Sequence, residues 1–153
     1  MKQPLFTPRA IGYARTSYAD LAQVPKGPLA KHDHAEGVLE IEPELEQGLT
    51  DIEGFSHLIV LWVFDRARGF ELMATPPGGT VAHGVFATRS PDRPNPIALT
   101  VVELVRREGN RLYVRGVDML DGTPLLDIKP YLSSVPEEKL KRGWLPAFEA
   151  RQE

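Results

Sequence analysis

Between positions 89 and 97 the chain reads RSPDRPNPI, in which three prolines separate two arginines, an aspartate and an asparagine. Each proline holds its own φ near about −65°, removes one N–H donor and presses the preceding residue toward extended backbone. Such an arm is stiff before any ligand arrives. Little entropy is lost if it presents Arg89, Arg93 and Asn95 to one. A rigid surface turn with merely solvated arginines is the competing reading of the same residues.

A second stretch, DGTPLLDIKPY at 121–131, begins with an Asp-Gly tight-turn signal and continues as an extended segment carrying polar groups. Asp127 and Lys129 are two residues apart and share one face if this segment is a strand. A turn followed by a surface ion pair, worth little, is the alternative. The histidines carry less information. His32 and His34 flank Asp33 at a spacing open to a metal, but no third ligand stands nearby in the sequence, so no metal is expected. His57 and His83 read equally well as structural residues. Motifs for a Rossmann crevice, a phosphate loop, a nucleophile elbow and a zinc protease helix are all missing.

The elements that must position these stretches are short. Residues 10–15 (AIGYAR), 38–42 (VLEIE), 58–64 (LIVLWVF), 84–88 (GVFAT), 99–107 (LTVVELVRR), 111–117 (RLYVRGV) and 125–128 read as strands. The 58–64 run is apolar throughout and predicts a strand covered on both faces. The 99–107 run does not alternate strictly and predicts partial cover on both faces. Glu108-Gly109-Asn110 is a hairpin signal between two of them. Residues 16–33 and 70–80 read as loops, 43–49 as a short helix opened by proline, and 136–142 as a charged helical tail. The pattern is all-β with short helices, a closed barrel of six to seven strands or a sandwich. A core of about 8–132 with a helical tail at 133–153 makes one domain of 1–153.

Bulk properties narrow the classes. With 153 residues the chain is the size of one ordinary domain, and 14 prolines with 13 glycines suit many turns. The absence of cysteine excludes disulfides, thiolate metal sites and a thiol nucleophile. No signal peptide and no membrane span are legible, so the expected location is the cytoplasm. A net charge of −3 does not favour a general affinity for phosphate backbones.

Taken together, GVFATRSPDRPNPI at 84–97 and DGTPLLDIKPY at 121–131 closely resemble the two signature blocks of the TrmO/TsaA-like proteins. FSHLIVLWVF at 55–64 resembles a third block and Ile11-Gly12-Tyr13 the opening strand, so the resemblance spans roughly 8–132. It implies a small closed β-barrel (TsaA-like) that forms a homodimer and binds S-adenosyl-L-methionine near the subunit boundary. It also implies N6-methylation of threonylcarbamoyladenosine beside the tRNA anticodon.

Carried over by position, cofactor contacts fall at Lys26, Gly27, Pro28, Asp65, Arg66, Arg89, Leu99, Asp121, Gly122, Thr123 and Pro124. Arg93, Asn95, Lys129 and Tyr131 are the expected substrate contacts. Methyl transfer needs in-line placement of the methyl carbon and a nucleophilic nitrogen relieved of its proton. The N6 hydrogen of this nucleoside lies between a purine and a carbonyl and is unusually acidic, so a carboxylate is base enough. Asp121, Asp127 and Arg89 are the catalytic candidates, with Asp65 as a third carboxylate. The chain departs from the family pattern at Ala98, where glycine is usual, and in a short 66–81 loop with little basic character. Longer bacterial relatives carry a further C-terminal domain. Methylation of another RNA or a small molecule, and non-catalytic binding of S-adenosyl-L-methionine, are the alternative readings.

Overall fold

A computed structural model describes residues 6–28, 30, 34–132 and 134–152. Its strands are β1 (Gly12–Thr16), β2 (Glu36–Ile41), β3 (His57–Val63), β4 (Met73–Ala74), β5 (His83–Gly84), β6 (Ile97–Glu108), β7 (Arg111–Arg115) and β8 (Pro124–Pro130). One α-helix, α1 (Leu145–Arg151), follows them. Six strands close into an antiparallel barrel in the order β1-β2-β7-β6-β3-β8, and β4 pairs with β5 outside it. The short segments leave a barrel and a sandwich open, and the closed barrel is the one the family resemblance implies. Closure leaves none of the six barrel strands with an open edge.

The inward side chains make the core: Ala14 and Leu39, Leu58, Val60 and Trp62, Ala98 and Val102, Leu112 and Val114, and Leu125. Glycine is required where β1 enters. An ideal Cβ on Gly12 would stand 2.0 Å from the Glu40 carbonyl oxygen, so the β1–β2 pairing admits no side chain there. At the β6–β7 turn Gly109 takes φ +60°, the geometry of a two-residue hairpin that matches strand twist. The Asn110 amide then donates to the Ile41 carbonyl at 2.6 Å and ties the hairpin to β2.

Three expectations change. Residues 84–88 are not a strand beyond Gly84: Val85–Ala87 form a 3-10 turn. Both the Thr88 amide and its hydroxyl donate to the Val85 carbonyl, a local bond that competes with any ladder. The short helix expected at 43–49 forms over those residues and coils as a 3-10 helix. In the tail, 136–142 holds only a 3-10 turn at Glu137–Lys139, and the α-helix comes later, at Leu145–Arg151. The third change concerns cover. β3 buries Leu58, Val60 and Trp62, but its outward residues are only half-buried. β6 alternates in burial from Ile97 to Val102 even though its outward residues are themselves apolar. Nothing among the described residues covers that outer face.

Candidate ligand site at one end of the barrel

In an antiparallel barrel of six strands, every second connection lies at the same end. The end of β1, the end of β3 and the start of β6, and the start of β8 all meet there. The connections at this end carry Lys26-Gly27-Pro28, Asp65-Arg66, the proline arm and Asp121–Pro124. Four stretches that are far apart in sequence thus share one end of the barrel.

Contacts join them. The Arg66 guanidinium donates from Nη2 to the Asp121 carbonyl at 3.3 Å. The Phe64 amide donates to the Pro96 carbonyl at 2.8 Å, which fastens the last proline of the arm beside Asp65. Asp121 is itself held by β1, because its Oδ1 accepts the Thr16 amide at 3.1 Å and its own amide donates to the Tyr18 carbonyl. Gly122 turns the chain at φ +82°, and its amide donates to the Ala14 carbonyl. Thr123 follows, buried, and Pro124 opens β8.

The Lys26–Pro28 stretch passes Gly27 at φ +95°, where an added Cβ would come within 3.3 Å of the Pro77 carbonyl oxygen. That places it against the 76–79 loop. Lys26 and Pro28 are exposed.

Within the arm the two arginines have different jobs. Arg93 turns inward and donates from Nη1 to the carbonyls of Thr88 and Ser90, at 3.0 and 3.2 Å. Its Nη1 therefore holds backbone on either side of Arg89. Arg89 is exposed, and among the described residues its side chain has no hydrogen bond or ion pair. The same holds for the side chains of Lys26, Asp65 and Asn95.

Other expected residues sit elsewhere. Asp127 and Lys129 lie on the outer face of β8, opposite Leu61 and Ile59 of β3. They pair with each other at 3.0 Å, and Asp127 Oδ1 also accepts the Ile128 amide. Leu99 faces out opposite Leu61 on the other side, so Leu99, Leu61 and Asp127 form a row across three strands. Tyr131 is farther off. Its amide donates to His57 at the start of β3, whereas Asp65 follows the end of that seven-residue strand. At about 3.3 Å per residue, roughly 20 Å of strand separates them. A substrate contact from Tyr131 therefore belongs to the opposite end of the barrel from Asp121.

Ala98, the family departure, lies in regular register opposite Trp62 and points into the core. No positive φ is needed there, so alanine is accommodated without strain. His32 and Asp33 fall outside the described residues. Among the described residues no group of three metal-ligating side chains occurs, and no helix is long and apolar enough to cross a membrane.

One network was not legible beforehand. Trp62 Nε1 donates to Thr100 Oγ1 at 2.9 Å, and that hydroxyl donates to Asp118 Oδ1 at 2.5 Å. It links β3 just before Asp65, β6 beside Leu99 and the loop before Asp121. Its only trace in the sequence is one threonine within the otherwise apolar run at 97–102.

Residues 13–136 match the model of the tRNA-methyltransferase O N-terminal domain family. The chain belongs to that family. Among its relatives, a probable S-adenosyl-L-methionine-binding protein of Pyrococcus abyssi is 49% identical over 141 residues, covering 90% of this chain and 74% of that one. The mouse tRNA (adenine(37)-N6)-methyltransferase is 39% identical over 130 residues, which are 80% of this chain and 30% of the mouse protein. The crystal structure of TrmO from Pseudomonas aeruginosa superposes with a TM-score of 0.71 at 34% identity, over 92% of this chain and 62% of that one. This chain thus spans about three fifths of the solved TrmO chain.

Proposed function

We propose that this chain is an S-adenosyl-L-methionine-dependent methyltransferase whose acceptor is N6 of threonylcarbamoyladenosine next to the tRNA anticodon. The observation that carries the reading is the junction at one barrel end, where Arg66 reaches Asp121 and Phe64 fastens the proline arm. A zwitterionic sulfonium nucleoside asks for cations at its carboxylate, a carboxylate near its positive sulfur and ammonium, and an apolar surface for its base. Arg89 and Lys26 supply uncommitted cations, Asp65 an uncommitted carboxylate, and Leu99 an exposed apolar side chain. Gly27 and Gly122, both at positive φ, let backbone approach a ligand without a Cβ in the way. The residues present fit the group.

When bound, the cofactor supplies an electrophilic methyl group. The protein's part is to hold the acceptor nitrogen in line and to take its proton. Asp121 and Asp65, at the barrel end, are the carboxylates placed for that proton, and Asp127 joins them if the outer face of β8 borders the site. Arg89 orients a carboxylate of cofactor or substrate. Asn95 remains a candidate substrate contact at the tip of the arm, and Lys129 one beside Asp127.

The same reading includes a homodimer. Ile97, Leu99 and Val101 of β6 are 48%, 42% and 41% exposed, opposite Val63, Leu61 and Ile59 of β3. A contiguous apolar face of this kind on a soluble barrel marks an interface. A second copy seated there would cover the Leu99–Leu61–Asp127 row and bring Asp127 to the edge of the site.

Nucleoside mass spectrometry on tRNA from a deletion strain tests the reading, with loss of methylated threonylcarbamoyladenosine as the expected result. Persistence of that nucleoside in a cell with no second enzyme of this kind would refute the tRNA acceptor. Incubating the purified protein with labelled cofactor and bulk tRNA would then reveal any other RNA acceptor.

A further inference from the structure

The helix α1 lies beyond the residues that the family model matches, 13–136, yet it packs against the segment that leads into the arm. Trp144, just ahead of it, donates from Nε1 to the Ala87 carbonyl at 2.8 Å. Ala87 closes the 3-10 turn two residues before Arg89. The Trp144 ring stacks on His83 at 4.3 Å with planes 10° apart, and Phe148 meets its edge at 5.8 Å. Phe148 is buried, and an added Cβ on Gly79 would stand 3.1 Å from it. Gln152 Nε2 donates to the Gly78 carbonyl at 3.2 Å. The helix is thereby tied both to the 76–79 loop, which abuts Gly27, and to the entry of the arm.

We infer that Trp144 is a positioning residue for Arg89: its hydrogen bond to Ala87 sets where the arm leaves the β5 strand and therefore where the guanidinium stands. The rest of the arm is already fixed. Arg93 ties together the Thr88 and Ser90 carbonyls on either side of Arg89, and the Phe64–Pro96 bond holds the far end. The Arg93 bonds and the Thr88–Val85 bonds are internal to residues 85–93, so where this unit and its Arg89 stand depends on bonds from outside it, of which Trp144 to Ala87 is the nearest to Arg89 in sequence among the described residues. The inference rests on the reading that Arg89 engages the cofactor, but the clamp itself is testable without any ligand.

Trp144→Phe keeps a ring for His83 and Phe148 and removes only the N–H donor. In the ligand-free protein, amide hydrogen exchange at Thr88 to Ser90 should rise several-fold while exchange in β3 and β6 stays as in the wild type. Affinity for S-adenosyl-L-methionine by calorimetry should fall about 2- to 10-fold, the range one net hydrogen bond supplies. kcat at saturating cofactor should be unchanged, and in an Arg89→Ala background Trp144→Phe should cost no further affinity. Unchanged exchange at 88–90, or a rise spread evenly over the barrel, overturns the clamp. Faster exchange at the arm with unaltered affinity overturns the link to Arg89. A wild-type protein that binds no S-adenosyl-L-methionine, with the exchange effect still present, sinks the proposed function and leaves the clamp standing.

Discussion

The indole N–H of Trp62 and the hydroxyl of Thr100 meet at 2.9 Å inside the barrel, between the strand that delivers Asp65 and the strand that delivers Leu99. Both residues are buried, and Thr100 passes the connection on to Asp118. A buried donor left without its acceptor costs its full desolvation. Thr100→Val, nearly isosteric, should therefore lower stability by about 1–3 kcal/mol in urea unfolding. Because the network ends three residues before Asp121, cofactor affinity should fall as well. A variant with wild-type stability would mean that water replaces the hydroxyl at no loss.

Arg89→Ala removes the uncommitted guanidinium of the arm without touching a described contact. A charge-assisted hydrogen bond is worth about 1.5–3 kcal/mol, so affinity for S-adenosyl-L-methionine should drop roughly 10- to 100-fold. The melting temperature without ligand should stay the same. Calorimetry that finds an unaltered affinity takes Arg89 out of the site.

Gly12→Ala tests the barrel seam. The added methyl would meet the Glu40 carbonyl at 2.0 Å, and backbone cannot move aside as a flexible side chain would. A loss of about 1–3 kcal/mol or more is expected from such overpacking. Thermal denaturation of the variant beside Gly48→Ala, where an added methyl meets nothing within 4 Å, gives the comparison.

The outer face of β3 and β6 should mediate self-association. Val101→Glu places a charge opposite Ile59 on that face and away from the barrel end. Light scattering should find the wild type as a dimer and this variant as a monomer with an unaltered circular dichroism spectrum. A monomeric wild type at tens of micromolar would refute the interface.

Glu108, on the β6–β7 hairpin, is held below the usual carboxylate range by the hydrogen bond from Arg106 and, second, by Tyr113. The guanidinium of Arg106 also lies 3.7 Å over the Tyr113 ring. A depressed folded-state value means that this contribution to stability is present above the unfolded-state pKa and is lost as pH falls through the folded one. Carbon-13 NMR should titrate Glu108 below an ordinary glutamate in the native protein, and Arg106→Gln should bring it back up. A normal midpoint in the wild type would show that the ion pair is not populated in solution.

Local sequence determined most of the strands and the means of joining them. Alternation in RLYVR, the apolar run LIVLWVF and the Gly109-Asn110 turn all act through neighbours within a few residues, so they can be read in one dimension. The stiffness of the 89–97 arm is likewise local, because proline acts on its own φ and on the residue before it. Ring closure was beyond that reach. Whether β1 meets β8, and so whether the sheet is a barrel, depends on contacts more than a hundred residues apart.

The division of labour within the candidate site was decided only in three dimensions. Arg89 and Arg93 are the same residue type in the same arm, but only Arg93 can curl back onto the Thr88 and Ser90 carbonyls. Asp121 and Asp127 look like equivalent carboxylates in one motif. The turn at Gly122 leaves the first at the barrel end, and the β8 pairing sends the second to the outer face beside Lys129. Tyr131 shares that motif too, yet the length of β8 carries it to the far end. A sequence records which groups are present and how rigidly each short stretch holds them. Which of those groups face one another depends on barrel closure and strand register, and these follow from packing across the whole chain.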